Sequence, residues 1–293
     1  MALQFKSLHP AFAAEVEGAD LRAPLPPGQA AEIEAAMDRF AVLVFPGQDI
    51  DDDQQMAFGL NYGLMEAETA TVDVHKRRLK HAQMNDISNL DERGQLLAAD
   101  DRRRMFNLGN QLWHSDSSFK AIPAKYSLLH GRVVTPEGGE TEFADMRAAW
   151  DALPLRQQEK LRDLVCEHSL LFSRAQLGFA EFTEEERTKF APVPQRLVRR
   201  HPGSDRLSLY LASHIGRIQG WMVPEALALI RDLVEHATQR EFVYSHAWRR
   251  QDLVMWDNRC TMHRGRPFED RQFPRDMRRV TLMDSRPTLE QAA

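Results

Sequence analysis

Only two cysteines, Cys166 and Cys260, occur in 293 residues, and they stand far apart. That excludes a disulfide framework and a paired-cysteine metal knuckle, and it suits a reducing compartment. No apolar run approaches the roughly 18 residues needed to span a bilayer. The first residues, Met1-Ala2-Leu3-Gln4-Phe5-Lys6, lack the apolar stretch of a signal peptide. The expectation is a soluble cytoplasmic protein. An excess of basic charge is also missing: the net charge is −5 and the pI about 6.1, unlike a phosphate-contacting surface. Clusters such as Arg102-Arg103-Arg104 and Arg278-Arg279 read mostly as solvated faces. There is no glycine-rich phosphate loop, internal repeat or low-complexity tail. A hydrophobic content of 43% with 28% charged residues is ordinary for a folded chain.

What is present is a strand-rich second half. Ile33, Met37 and Phe40 lie at helical spacing within 29–40, followed by the apolar run Ala41–Phe45 and the turn residues Pro46-Gly47. Asp51-Asp52-Asp53 suits the start of a second helix reaching Asn61. Strands are predicted at 126–134, 207–211, 242–248, 253–256 and 279–283, from their aromatic and β-branched content. Helices are predicted at 145–150, 155–168 and 224–236, the last with proline in its first turn. The segments at about 66–106 and 174–194 show little periodicity and read as inserts over a core. Without a βαβ alternation, the expected fold is mainly β with inserted helices, a sandwich or barrel.

The sharpest local feature is Trp113-His114-Ser115-Asp116. On a strand, residues two apart share a face, so His114 and Asp116 would point at one ion. With 11 histidines and 22 aspartates, about one His-x-Asp match is expected by chance, so the motif alone is weak. A surface or core histidine is the commoner meaning of any single match. His263 comes after the apolar run Leu253–Trp256 and adds a third donor. Two histidines and one carboxylate leave ligand positions open, which suits iron(II) with a cosubstrate and oxygen. A structural zinc site would want four ligands and usually cysteine. Arg275 and Arg279, four apart, would share one face of a strand, where guanidinium groups grip carboxylates bidentately. Thr141, after Gly138-Gly139-Glu140, reads by itself as a turn residue.

Taken together, these residues resemble a known family. Trp113-His114-Ser115-Asp116, the Gly-Gly-Glu-Thr at 138–141, Trp256-Asp257-Asn258-Arg259 before His263, and Arg275…Arg279-Val280-Thr281 are similar to the taurine/2,4-dichlorophenoxyacetate (TauD/TfdA) family of 2-oxoglutarate-dependent dioxygenases. The intervals match too, 27 residues from His114 to Thr141 and 12 from His263 to Arg275. Three longer blocks, 110–119, 145–149 and 236–244, resemble its 2,4-dichlorophenoxyacetate dioxygenase (TfdA) branch.

The resemblance implies a double-stranded β-helix (jelly-roll) core spanning 1–293 as one domain, with the inserts at 66–106 and 174–194 over the active site. It implies Fe(II) held by His114, Asp116 and His263, with 2-oxoglutarate and O2 as cosubstrates and ascorbate as a stimulant. Thr141 and Arg275 would hold the distal carboxylate of 2-oxoglutarate. Arg279, His214 and Asn110 would face the substrate, a small aryloxy acid. The implied reaction hydroxylates the carbon between ether oxygen and carboxylate, releasing a phenol, glyoxylate, succinate and CO2. Neither nucleic acid nor membrane is expected as a partner, and a homo-oligomer is. Thr71 stands where herbicide-cleaving relatives can carry a lysine, which would leave anion recognition to Arg279 and His214. Two other readings remain open: a dioxygenase for a sulfonate, alkyl sulfate or other small acid, and a non-catalytic jelly-roll module that binds a metal or anion.

Overall fold

The computed structural model describes residues 2–67 and 76–291. Thr71 lies outside the described residues. The helix Gln29–Phe40 buries Ile33, Met37 and Phe40 on one stripe and ends at Ala41, whose φ of 58° turns the chain out of helical geometry. Strand β3 (Val42–Phe45) comes at once and is buried on both faces. Asp51 caps the helix Asp52–Gly59 through the backbone of Gln54, and the Gln54 side chain returns the bond.

Strand β3 belongs to a seven-stranded sheet. Its order is β1 (Gln4–Ser7), β2 (Ala14–Glu17), β3, β13 (Leu253–Asp257), β5 (Ala124–Val133), β15 (Asp276–Met283) and β4 (Met84–Asp86). A three-stranded sheet places β6 (Thr141–Asp145) between β12 (Val243–His246) and β14 (Thr261–Gly265). Two smaller sheets are formed by β7 (Val165–His168) between β8 (Val193–Arg196) and β11 (Ile215–Ile218), and by β9 (Val198–Arg200) with β10 (Leu207–Leu209).

Alternation along β3 and β13 divides the core between the two faces of the large sheet. Leu43, Phe45, Leu253 and Met255 pack under the first helix with Ile33 and Met37. Val42, Val44, Val254 and Trp256 face the other way and meet Phe143 of β6. The two sheets thus close on each other around Phe143 and Trp256, whose rings lie 5.4 Å apart. The helix Val223–Ala237 covers a separate core with Ala226, Ile230 and Leu233.

Several expectations are corrected. The helix predicted over 155–168 stops at Leu161, and Val165–His168 is a strand between β8 and β11. Its alternating burial, with Cys166 and His168 inward, is the period-two pattern that a run of helix formers upstream concealed. Thr141 opens strand β6 and does not merely end a turn. The 174–194 segment contains a helix, Glu184–Lys189, with a Thr183/Glu186 capping box. It meets the described part of the 66–106 segment: Phe106 packs edge-on against Phe179, and Arg102 pairs with Glu186 at 2.7 Å. No helix among the described residues is long and apolar enough to cross a membrane.

A buried ion cluster ties the sheets together beside the core. Asp257 accepts from Arg259 at 2.6 Å and lies 2.9 Å from the His201 imidazole, and all three are buried. Burial alone would raise the Asp257 carboxyl, but Arg259 and His201 hold it far below the usual carboxylate range. Asp257→Ala leaves Arg259 as an uncompensated buried charge, so it should cost about 3–5 kcal/mol of unfolding free energy. Urea unfolding of the two proteins checks this; equal midpoints would refute it.

Candidate active site

Strand β14 sets the geometry of the site. Its His263 pairs with Phe143 of β6 on one side and forms an isolated antiparallel bridge to His114 on the other. His114 N donates to His263 O at 3.0 Å and His263 N to His114 O at 2.8 Å. Residues paired directly across such a bridge point the same way, and the two imidazole rings sit 4.2 Å apart. The expected strand through His114 and Asp116 is reduced to this bridge, after which the chain turns, with Ser117 at φ 52°. The turn still delivers the carboxylate to the imidazoles. Ser115 Oγ donates to Thr261 O at 2.9 Å, and Asp116 N donates to Asn258 Oδ1 at 3.0 Å.

The three predicted ligands therefore converge. Asp116 Oδ1 lies 3.8 Å from His114 Nε2, and Asp116 Oδ2 lies 3.6 Å from His263 Nε2. These gaps exceed a hydrogen bond, and an ion bound at about 2.0–2.2 Å from each donor spans them. The donor chemistry fits as well. His114 Nδ1 lies 2.7 Å from Leu112 O, so its proton goes there and Nε2 keeps a free lone pair. Burial lowers both imidazole pKa values, keeping the rings neutral. Burial would raise Asp116, but Arg279, the two histidines and Ser127 hold its carboxyl at about 2. Two neutral imidazoles and one carboxylate, with no fourth protein donor among the described residues, suit a divalent metal with open positions. His201, Asp257 and Cys260 also cluster, but the Asp257 oxygens are already taken by Arg259 and His201.

Arg279 Nη1 donates to Asp116 Oδ1 at 2.5 Å. Arg279, His214, Asn110, His114 and Asp116 line one cavity, and Arg275 lines a second. The cavities adjoin, with Asn110 and Ser88 walling both. The two arginines do not share a strand face as expected. Arg275 precedes β15, and a register shift between Asp276 and Met277 re-aims the rest of that strand.

Arg275 is positioned by Asn89, whose Oδ1 accepts from its backbone, and by Gly139 O, which accepts from Nη2 at 3.2 Å. Burial pushes its guanidinium down to about 10, and no carboxylate pairs with it among the described residues. Thr141 is buried at the start of β6, and its Oγ1 accepts from Trp248 Nε1 at 3.0 Å. The hydroxyl proton is left for another acceptor.

Sequence reasoning missed Ser127, Asn258, Trp248 and Asn89. Ser127 Oγ donates to Asp116 Oδ2 at 2.7 Å, and Asn258 Nδ2 donates to Ser127 Oγ at 2.9 Å. Asn258 carried a signal as a polar residue ending an apolar strand. The others are ordinary residues made functional by distant partners.

The model of the taurine catabolism dioxygenase TauD, TfdA family matches residues 4–281. The chain belongs to that family. Among TauD/TfdA relatives, it is 47% identical to the alpha-ketoglutarate-dependent 2,4-dichlorophenoxyacetate dioxygenase of Cupriavidus pinatubonensis, over 97% of this chain and 99% of that one. It is 34% identical to the (S)-phenoxypropionate/alpha-ketoglutarate-dioxygenase of Sphingobium herbicidovorans, covering 92% and 91% of the two chains. A solved structure, AAD-2 in complex with Mn(II) and N-oxalylglycine, aligns with a TM-score of 0.95 at 57% identity, covering 98% of this chain and all of that one. This TauD/TfdA member thus matches its relatives along nearly its whole length.

Proposed function

We propose that this dioxygenase is Fe(II)- and 2-oxoglutarate-dependent and hydroxylates the carbon between the ether oxygen and carboxylate of an aryloxyalkanoate such as 2,4-dichlorophenoxyacetate. The products are the phenol, glyoxylate, succinate and CO2. One observation carries the reading: a His-Asp-His triad stands beside two adjoining cavities, with Arg279 in the lining of one and Arg275 in that of the other. Two acids must be held at once, one a cosubstrate and one a substrate, and two cation-lined cavities meet that need. The names of the relatives favour an aryloxy acid over other anions.

In this proposal His114, Asp116 and His263 hold the iron. The iron and 2-oxoglutarate would supply the power to oxidise that C–H bond with O2. Arg275 and Thr141 hold the distal carboxylate of 2-oxoglutarate, Arg275 by charge and Thr141 by the proton that Trp248 leaves free. Arg279, His214 and Asn110 face the aryloxy acid. Ser127, itself held by Asn258, fixes the Asp116 carboxylate, so its orientation does not depend on the ion alone. The paired sheets around Phe143 and Trp256 form the jelly-roll core of a single domain. The segments near 66–106 and 174–194 exclude water from the substrate side, an assignment supported by the Phe106–Phe179 contact.

Incubation with iron(II), ascorbate, 2-oxoglutarate and 2,4-dichlorophenoxyacetate should yield dichlorophenol, glyoxylate and succinate in equal amounts. Turnover of an alkyl sulfate or sulfonate in its place would transfer the function to that acid. No substrate-stimulated succinate with any acid would point to a non-catalytic binding module.

A further inference from the structure

Arg174 lies near the end of the helix Leu170–Ala175, and its guanidinium is buried. Its Cζ stands 4.5 Å over the Phe106 ring. It also rests against Gly109, where an added Cβ would fall 2.2 Å from Cζ. Nη1 donates to Ser173 Oγ at 3.3 Å, while Nε is buried with no partner. No carboxylate pairs with Arg174 among the described residues. Other buried arginines are neutralised: Arg147 by Asp145, Arg259 by Asp257 and Arg199 by Asp284. A buried guanidinium without a counter-ion is costly, and a site that receives an anion accounts for it.

The position suits that role. Arg174 lines the same cavity as His114, Asp116, Asn110 and Arg279. Other guanidinium groups of that lining are already paired: Arg279 with Asp116, Arg78 with Asp86 and Asp276, and Arg103 with Asp101. His214 is not free to help in the same way. Ser173 Oγ donates to Leu170 O at 2.9 Å, so His214 Nδ1, 2.8 Å from Ser173 Oγ, must be the donor in that contact. A carboxylate needs donors, and Arg174 has them. Burial and the charge of Arg279 push Arg174 down to about 10, which still leaves it protonated at neutral pH.

We infer that Arg174 receives the carboxylate of the aryloxy acid, with His214 acting as a positioning residue through Ser173. The inference rests on the substrate class proposed above. Gly109 is part of the device, since any side chain there would displace the guanidinium. Phe106 supports it from the opposite segment, with its ring against the guanidinium.

The test uses the protein loaded with manganese(II) and N-oxalylglycine, which does not turn over. Binding of 2,4-dichlorophenoxyacetate is compared with that of the uncharged 2-(2,4-dichlorophenoxy)ethanol by calorimetry. Arg174→Gln should weaken the acid on the order of 30-fold, as expected for a charge-assisted pair, and leave the alcohol within about twofold. Gly109→Ala should reproduce this discrimination with the arginine still present. Because the unpaired charge is removed, Arg174→Gln should leave the unligated Tm no lower than that of the wild type. Unchanged acid binding in Arg174→Gln overturns the inference, as does equal loss of both ligands with a lowered Tm. Normal acid binding by Gly109→Ala overturns the placement against that glycine. A wild-type protein with no preference for the acid over the alcohol overturns the substrate class itself, and this inference with it.

Discussion

His263→Ala should lose iron and activity together: metal content below about a tenth of an ion per chain, and turnover down on the order of 10³-fold or more. The reason lies in how few donors the site has. Only His114, Asp116 and His263 converge there among the described residues, so removing one leaves two for an ion that needs protein anchorage. The backbone should tolerate the change. His263 is held by main-chain bonds to His114 and by its register with Phe143, and none of these involves the imidazole. Nδ1 is buried without a partner, so deletion of the ring orphans no hydrogen bond. Elemental analysis beside succinate formation and a far-ultraviolet spectrum checks this. A variant that keeps one iron per chain would remove His263 from the ligand set.

Arg275→Ala should raise the KM for 2-oxoglutarate on the order of 100-fold and leave the KM for the substrate acid nearly unchanged. Arg275 lines its own cavity with no carboxylate partner among the described residues, so an incoming anion is the counter-charge it lacks. Its side-chain hydrogen bond to Gly139 O orients the fork and does not neutralise it. Arg279→Ala should act on the other side of the site, weakening the substrate acid by removing a charge from the cavity that Arg174 shares and sparing 2-oxoglutarate. It should also loosen the metal, because Arg279 steadies Asp116. Separate titrations of the two acids distinguish the arginines. Identical effects of both variants on both acids would refute the division.

The metal donors are legible in the chain because they are unusual residues in ordered company. His114, Asp116 and His263 need only a short motif and a third donor after an apolar strand. The helix Gln29–Phe40 and strand β3 are equally legible, since apolar spacing of one period ends where another begins. Strands β7, β8, β11 and β14 are not. They are short, and their partners lie tens of residues away, so any local pattern is too brief to announce them. Arg174 is hidden for a related reason: a single arginine on a short helix reads as solvated, and only its burial against Phe106 and Gly109 says otherwise.

The sequence by itself determined which chemistry the chain carries: two histidines and a carboxylate for a metal, and arginines for acids. It also set the continuous apolar runs that make one sheet buried on both faces. Tertiary structure alone decided how those groups are divided. Asp116 is steered by Ser127, Asn258 and Arg279, from three separate stretches of chain. Arg275 and Arg279 open to different cavities because a shift in register falls between them. Residue type sets what a group can do, but burial and long-range pairing set which partner it meets and what charge it must share.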